Sequence, residues 1–307
     1  MITIYYLTKR GDFLNNKDIS VSVIITTYDR ELNYLKNAVE SVFKQTFEPS
    51  EIIIVDDNDN ILLSRKIEMF CYSNDITYVH NLGSRGACSA RNLGISIATS
   101  SYIAFLDDDD VWLPKKLELQ VNIITEKTIM VYCNGWKIDK RIIPESCSEY
   151  RKSDSFNCNV TFEQLLERNH IGTTTQLLIK KSALYEINGF DEELPARQDY
   201  DLCLRLALHG ELVGINNHLF IHYLHFENQI SKSSISSLIA YKKLYKKFKT
   251  QFNTHKNAKT NILFKISRME RLQQHYIKSI LYLFEGIICS PSKWKIGICE
   301  IQKSTTV

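Results

Sequence analysis

The chain has 307 residues, 44% of them hydrophobic and 24% charged, enough for one large core or a domain of about 200 residues with an appendage and too apolar for global disorder. A net charge of +3 hides an asymmetry: from residue 231 onward fifteen Lys/Arg face three Asp/Glu, a balance of +12 against −9 before it, so an acidic region precedes a basic one. Eight scattered cysteines without metal-ligand spacing argue against a disulfide framework or a zinc site and fit reduced thiols in the cytoplasm.

Residues 1–20 form a lead-in whose apolar start, Met1–Leu7, is too short for a signal sequence. Val21–Tyr28 is a β-branched run of the fully buried kind. Asp29 is placed to cap a helix on which Leu32, Leu35, Val39, Val42 and Phe43 recur at helical spacing. Glu51–Val55 is a second buried strand, ending on Asp56-Asp57-Asn58-Asp59, and Thr77–His80 a third. A helix is expected over Ser89–Ala98, a strand over Tyr102–Leu106 and another helix from Pro114. Strands alternating with helices predict an α/β fold with parallel βαβ units in a doubly wound sheet. The pattern then becomes irregular, with a strand near Met130–Cys133 and helices near Phe162–Arg168 and Asp199–His209. Past Ser231 everything reads helical. Tyr241, Leu244, Tyr245, Phe248 and Phe252 share one face opposite a row of lysines. A second amphipathic helix carries Ile262, Ile266, Met269, Leu272, Tyr276, Ile280 and Leu283 on its stripe. No apolar run approaches the ~20 residues of a membrane span.

The most informative stretch is the apolar Tyr102–Leu106 running into Asp107-Asp108-Asp109-Asp110. Four adjacent carboxylates repel one another, and each is pushed toward its protonated form unless positive charge sits among them. A hard divalent cation, which takes carboxylate oxygens and often carries phosphate, is a simple solution. In open α/β sheets ligands bind beyond the carboxyl ends of strands, which is where this cluster falls.

Five segments in order carry a resemblance: Val21-Ser-Val-Ile-Ile-Thr-Thr-Tyr28, Ser41-Val-Phe-Lys-Gln-Thr-Phe47, Ile53-Ile-Val-Asp-Asp-Asn58, Ser89-Ala-Arg-Asn-Leu-Gly94 and Phe105-Leu-Asp-Asp-Asp-Asp-x-Trp-x-Pro114. Over residues 20–228 the chain resembles the family 2 inverting glycosyltransferases of the GT-A fold. The resemblance implies a GT-A type doubly wound, mostly parallel sheet, a UDP-sugar donor, Mn²⁺ or Mg²⁺, and a saccharide or lipid-linked saccharide acceptor in cell-surface polysaccharide assembly. By position, Tyr28 matches the ring that stacks on uracil, with Thr26 beside it, and Asp57 the acceptor for the uracil N3–H. Arg91 falls where the family contacts the nucleotide. Asp107-x-Asp109 matches the Asp-x-Asp motif, with Asp109 the metal ligand and Asp108 near the donor ribose or sugar. Asp199, in Gln198-Asp-Tyr-Asp-Leu202, matches the catalytic base, with Gln198 where many relatives have Glu. His225 is a candidate further metal ligand. His222, three residues earlier, would point to the opposite face of a strand.

Other readings stay open at this level. Asp107-Asp-Asp109-Asp-Val111 also fits the Asp-x-Asp-x-Val shape of an aspartyl-nucleophile phosphohydrolase, although two βα units precede it. A catalytically inactive nucleotide-binding subunit is a third. No Gly-x-Gly-x-x-Gly follows a strand, which argues against a dinucleotide-binding dehydrogenase. The organisation is then a lead-in over 1–20, a nucleotide-sugar-binding domain over 21–230 and a basic helical extension over 231–307. That extension reads either as a solvated lysine face on a packed hairpin or as a helix on anionic lipid at the inner face of the membrane. Nucleic-acid binding is excluded, because the lysines line one helix without an accompanying motif.

Overall fold

The computed structural model describes residues 19–84, 86–139, 146–150, 156–224 and 234–297. In chain order the first half runs β1 (Val21–Thr27), α1 (Leu32–Phe43), β2 (Glu51–Asp56), α2 (Ile61–Tyr72), β3 (Thr77–His80), α3 (Ala87–Ile97), β4 (Tyr102–Asp107), β5 (Asp110–Trp112), α4 (Lys116–Val121) and β6 (Thr128–Asp139). The second half continues with β7 (Ser146–Glu149), α5 (Phe162–Glu167), a short 3₁₀ turn (Thr174–Gln176), β8 (Leu177–Lys180), α6 (Lys181–Glu186), α7 (Gln198–Leu206) and β9 (Glu211–Tyr223). Four helices follow: α8 (Ser234–Lys247), α9 (Lys249–Thr254), α10 (Lys256–Leu272) and α11 (Tyr276–Cys289).

One sheet runs β3-β2-β1-β4-β8-β6-β9-β5, with β7 on β6. Its first four strands are parallel, as the alternation of strands and helices predicts, and its other half is mixed, with β8 antiparallel to both β4 and β6. Both sheet faces are covered. Val21, Val23 and Ile25 point into a layer with α1, α2 and α4, while Ile24, Ile53 and Phe105 point into a layer with α3, α5, α6 and α7. The period of two along β1 therefore feeds both cores.

Several boundaries differ from the sequence expectation. Asp29 does not cap α1: the cap position is Glu31, and Asp29 takes a left-handed backbone (φ 45) with its N–H donated to Asn58 Oδ1 at 2.6 Å. The helix expected from Pro114 starts at Lys116, and the strand expected near Met130–Cys133 extends to Asp139 through register shifts against β9. The second amphipathic helix of the tail is two helices, because the chain reverses at Gln274 (φ 61). Ile262 and Ile266 are buried as the stripe predicts, but Tyr276 and Ile280 lie beyond the turn and face solvent.

The helical extension is packed into the core. Leu238, Tyr241, Leu244, Phe248, Phe252, Ile262 and Ile266 belong to the same buried cluster as Ile24 and Phe105. The lysine row of α8 is largely engaged. Lys247 Nζ lies 2.7 Å from both Asp191 Oδ2 and the fully buried Asp201 Oδ1, and Lys243 lies 3.1 Å from Glu193 Oε2. Asp201 holds a second cation, Arg205, at 2.7 Å. Lys247→Met should therefore lower stability by about 1–3 kcal/mol, since Asp201 keeps one of its two partners. Urea unfolding of the variant beside the wild type measures this, and an unchanged midpoint would show that the ion pair contributes nothing.

Candidate functional site

The register of the parallel strands gathers the candidate residues at one edge of the sheet. Thr26 of β1 stands opposite Val55 of β2 and Asp107 of β4, and Thr27 stands opposite Asp56. The carboxyl ends of β2, β1 and β4 thus lie side by side, and Asp57, Tyr28 and Asp108 leave them at adjacent points. Tyr28 is 56% exposed, an aromatic ring held out at the strand ends.

Asp56 and Asp57 divide their roles. Asp56 is fully buried, and its carboxylate accepts from Asn58 N–H and Nδ2 and from the Tyr78 hydroxyl. Asp57 is oriented by two donors, Asn81 Nδ2 to Oδ1 at 2.7 Å and the Gly86 N–H to Oδ2 at 2.8 Å. Gly86 has φ +115, a conformation open to glycine and strained for other residues, at the residue preceding α3.

The four carboxylates after β4 separate into three environments. Asp107 pairs with Arg91 Nη2 at 2.7 Å and accepts from the Thr173 and Thr174 hydroxyls at 2.9 and 3.1 Å. Burial pushes its pKa up, but the Arg91 charge and these hydrogen bonds outweigh burial and hold it below the usual carboxylate value. Asp108 and Asp109 share Arg30, whose Nε lies 3.0 Å from Asp108 Oδ1 and whose Nη2 lies 3.0 Å from Asp109 Oδ2. Burial, helped by Asp109 and Asp107 and opposed by Arg30, raises Asp108 to about 7. Asp110 turns inward on β5, fully buried, between the Thr175 hydroxyl at 2.6 Å and His222 Nδ1 at 2.9 Å. Although burial opposes it, the Asp110 carboxylate raises the pKa of His222.

Asp199 comes from the other half of the chain, after β8. The cap position is Arg197, in a left-handed conformation (φ 62), so Asp199 is not itself the cap. Burial raises Asp199 to about 6, against the Tyr200 N–H and the charges of Arg197 and Arg91, with Asp107 adding to the rise. Asp199 thus stands in the first turn of α7, one residue before the buried Tyr200 and two before the buried Asp201.

Of the sequence candidates, Thr26, Tyr28, Asp57, Arg91, Asp107, Asp108 and Asp109 gather at this edge, Asp199 stands in the first turn of α7, and His225 lies outside the described residues. Arg91 pairs with Asp107, a carboxylate on a neighbouring strand. The sequence reading missed Arg30, the hydroxyl run Thr173-Thr174-Thr175 and the Asp110–His222 pair. Three consecutive threonines were the one visible signal among them. Asp108 Oδ2 is buried without a hydrogen-bond partner in the described structure, which accords with a cation beside Asp108 and Asp109. Arg30, however, pairs with both carboxylates, and no group of three or more Asp, Glu, His or Cys among the described residues is arranged to hold a metal ion.

Thr175 supports two of these environments, since its hydroxyl oxygen also accepts the Asp107 N–H at 3.2 Å. Thr175→Val removes the donor to a buried carboxylate and should cost about 1–3 kcal/mol. Burial already raises the pKa of Asp110, against the His222 hydrogen bond and charge, and losing the Thr175 donor raises it further. The deficit against wild type is therefore largest at about pH 8 and shrinks toward about pH 5 as Asp110 takes a proton. Urea titrations at the two pH values check both the size and the sign.

A family model described as Glycosyl transferase family 2 matches residues 22–187, more than half of the chain. Among curated relatives, a glycosyltransferase of Rickettsia bellii is 33% identical over 66% of this chain and 28% of its own length. The UDP-Glc:alpha-D-GlcNAc-diphosphoundecaprenol beta-1,3-glucosyltransferase WfgD of Escherichia coli is 28% identical over 72% of this chain and 81% of its own. The chain thus spans only about a third of the length of some Rickettsia relatives. Among solved structures, S. aureus TarS 1–349 in complex with UDP-GlcNAc superposes with a TM-score of 0.58 at 16% identity, covering 86% of this chain and 89% of that one. The mannosyltransferase PcManGT of Pyrobaculum calidifontis, in complex with GDP-Man and Mn²⁺, gives 0.60 at 13% identity over 92% of this chain and 79% of that one. The expected GT-A type fold is borne out by these superpositions, and by the sequence match the chain belongs to glycosyl transferase family 2.

Proposed function

We propose that the chain transfers a sugar from a nucleoside-diphosphate donor, with UDP as the nucleotide, to a hydroxyl of a lipid-linked saccharide in cell-surface glycan assembly. The observation that carries this reading is the row of carboxylates at the ends of the parallel strands, Asp57 after β2 and Asp107–Asp109 at the end of β4, beside the exposed Tyr28 ring. Asp199, with its raised pKa, supports the choice of base. WfgD, whose printed name specifies a UDP-sugar donor and a diphosphoundecaprenol-linked acceptor, supports the choice of substrates.

In this reading Tyr28 stacks on the base, Thr26 lies beside it and Asp57 accepts its N3–H, held in place by Asn81 and Gly86. Asp109, with Asp108 beside it, holds a divalent cation. Such an ion, when bound, offsets the charge that develops on the leaving diphosphate. Arg91 fixes Asp107 and, with it, the start of the acidic turn. Asp199 accepts the proton of the acceptor hydroxyl as the new bond to the anomeric carbon forms. The bond from that carbon to the diphosphate oxygen breaks and its electron pair leaves with the diphosphate. Attack opposite the leaving group inverts the anomeric configuration. A raised pKa makes Asp199 a stronger base than an ordinary carboxylate.

An aspartyl-nucleophile phosphohydrolase fits less well. Both oxygens of Asp107, the residue that would attack phosphorus, accept hydrogen bonds from Arg91, Thr173 and Thr174.

Calorimetry of UDP, GDP and CMP, with and without Mn²⁺, tests the donor assignment. The expected result is selective UDP binding that Mn²⁺ strengthens and Asp109→Ala weakens, and absence of nucleotide binding under both conditions would overturn it. Asp199→Asn should lower kcat by about 10²–10⁴-fold with nucleotide affinity retained. Because the base acts ionised, wild-type turnover should rise as pH passes upward through about 6, and that limb should vanish in the variant. An unchanged pH–rate profile in Asp199→Asn would remove it from the reaction.

A further inference from the structure

Helix α11 is built with its small residues inward and its large apolar residues outward. Ser279 and Gly286 form the seam against α10. There the Ser267 hydroxyl donates to the Ser279 carbonyl at 2.7 Å and the Thr260 hydroxyl to the Gly286 carbonyl at 3.2 Å. A Cβ on Gly286 would come within 2.6 Å of the Phe264 ring, so this seam accepts no larger side chain. On the opposite side Ile277, Ile280, Leu281, Phe284 and Ile288 fall within about 60° of one line at 3.6 residues per turn. All five are more than half exposed, Ile277 and Ile288 at 77% and 76%. Gln273 Nε2, in the turn before α11, donates to Ser234 Oγ at 2.5 Å, which brings the start of α8 with its exposed Ile235 to the same end of the patch.

We infer that this face of α11 docks on an anionic lipid bilayer, lying in the plane of its surface. Charge complementarity selects that occupant. Lys278 on α11 and Lys295, six residues past its end, are exposed, while Lys293 turns toward α10, its Nζ 3.4 Å from Asn261 Oδ1. The one described acidic residue of the segment, Glu285, is engaged by Lys259 and the Tyr245 hydroxyl, each at 3.3 Å. Tyr276, at the start of α11, and Trp294, shortly after its end, are both exposed, and amphipathic aromatic side chains favour the boundary between headgroups and acyl chains. At 14 residues α11 is about 21 Å long, and no helix among the described residues is long and apolar enough to cross a membrane. An apolar face with basic flanks and that length suits insertion to the depth of the headgroups. A second copy of the chain fits less well, because an isologous contact would bring the same lysines toward one another. The lipid surface thus shifts from the lysine row of α8, which is engaged with carboxylates, to α11. The inference gives the proposed lipid-linked acceptor a meeting place, but its test involves neither donor nor acceptor, so it can fail independently of the reaction.

Co-sedimentation of the full chain with vesicles decides it. The expected result is binding to phosphatidylglycerol–phosphatidylcholine vesicles, with much weaker binding to phosphatidylcholine alone. Leu281→Ser with Phe284→Ser should lower partitioning at least tenfold while the thermal midpoint stays level or rises, since both side chains are exposed. Lys278→Gln with Lys295→Gln should weaken binding to the anionic vesicles roughly fivefold per lysine, without touching the apolar face. The inference is overturned if the wild type stays in the supernatant with both vesicles. It is equally overturned if the serine pair binds as well as the wild type, or if light scattering shows a dimer that the serine pair dissociates while vesicles go unbound.

Discussion

Electrostatic repulsion at the end of β4 is the constraint around which this molecule is organised. Four carboxylates in sequence cannot share one buried environment in ionised form. The chain meets this by giving them different partners: Arg91 with two threonines for Asp107, Arg30 for Asp108 and Asp109, and Thr175 with His222 for Asp110. Those partners come from α3, from the loop after β1, from the turn before β8 and from β9. Satisfying one tetrapeptide thereby ties both halves of the sheet to the same edge. The separation also has a chemical consequence. Asp107 and Asp110 become fixed structure, while Asp108, beside Asp109, keeps a buried oxygen without a hydrogen-bond partner.

The parallel half of the fold was legible because its signals are local. Val21–Thr27, Glu51–Asp56 and Tyr102–Asp107 are short β-branched or apolar runs buried on both faces, and each ends on an acid or hydroxyl residue, so strand type and strand end could be read together. Helix starts were less legible. The Asp29 carboxyl looked like a cap, yet the residue serves through its backbone, held by Asn58 on a different strand end, and no local pattern encodes that partner. The charge partners of the acidic turn were hidden for the same reason. Arg30 and His222 lie about 80 and 112 residues from the carboxylates they balance, and only the sheet topology brings them there.

The tail shows a different limit. Its hydrophobic periodicity runs unbroken from Ile262 to Leu283, and nothing in Gln273-Gln274-His275 carries the glycine or proline that marks most turns. The reversal at Gln274 places α11 back along α10, so residues read as one continuous stripe divide into a buried set and an exposed set. Periodicity reports that a face is apolar; it does not report what covers that face.

The extension also bears on the chemistry at the sheet edge. Helix α7 begins at a strained residue, since Arg197 sits at φ 62 without being glycine, and such a conformation persists only where its surroundings hold it. Much of that hold comes from α8. The Arg197 guanidinium lies over the Tyr241 ring at 5.3 Å, and Lys247 reaches Asp201 on the turn that carries Asp199. From the other side the Tyr200 hydroxyl donates to the Leu165 carbonyl of α5 at 2.6 Å. The position of Asp199 is therefore set jointly by the α/β layers and by the helical extension. Through Tyr241 and Lys247, α8 thus holds the two residues that flank the Gln198–Tyr200 turn, and through α10 the same extension connects to the apolar outer face of α11.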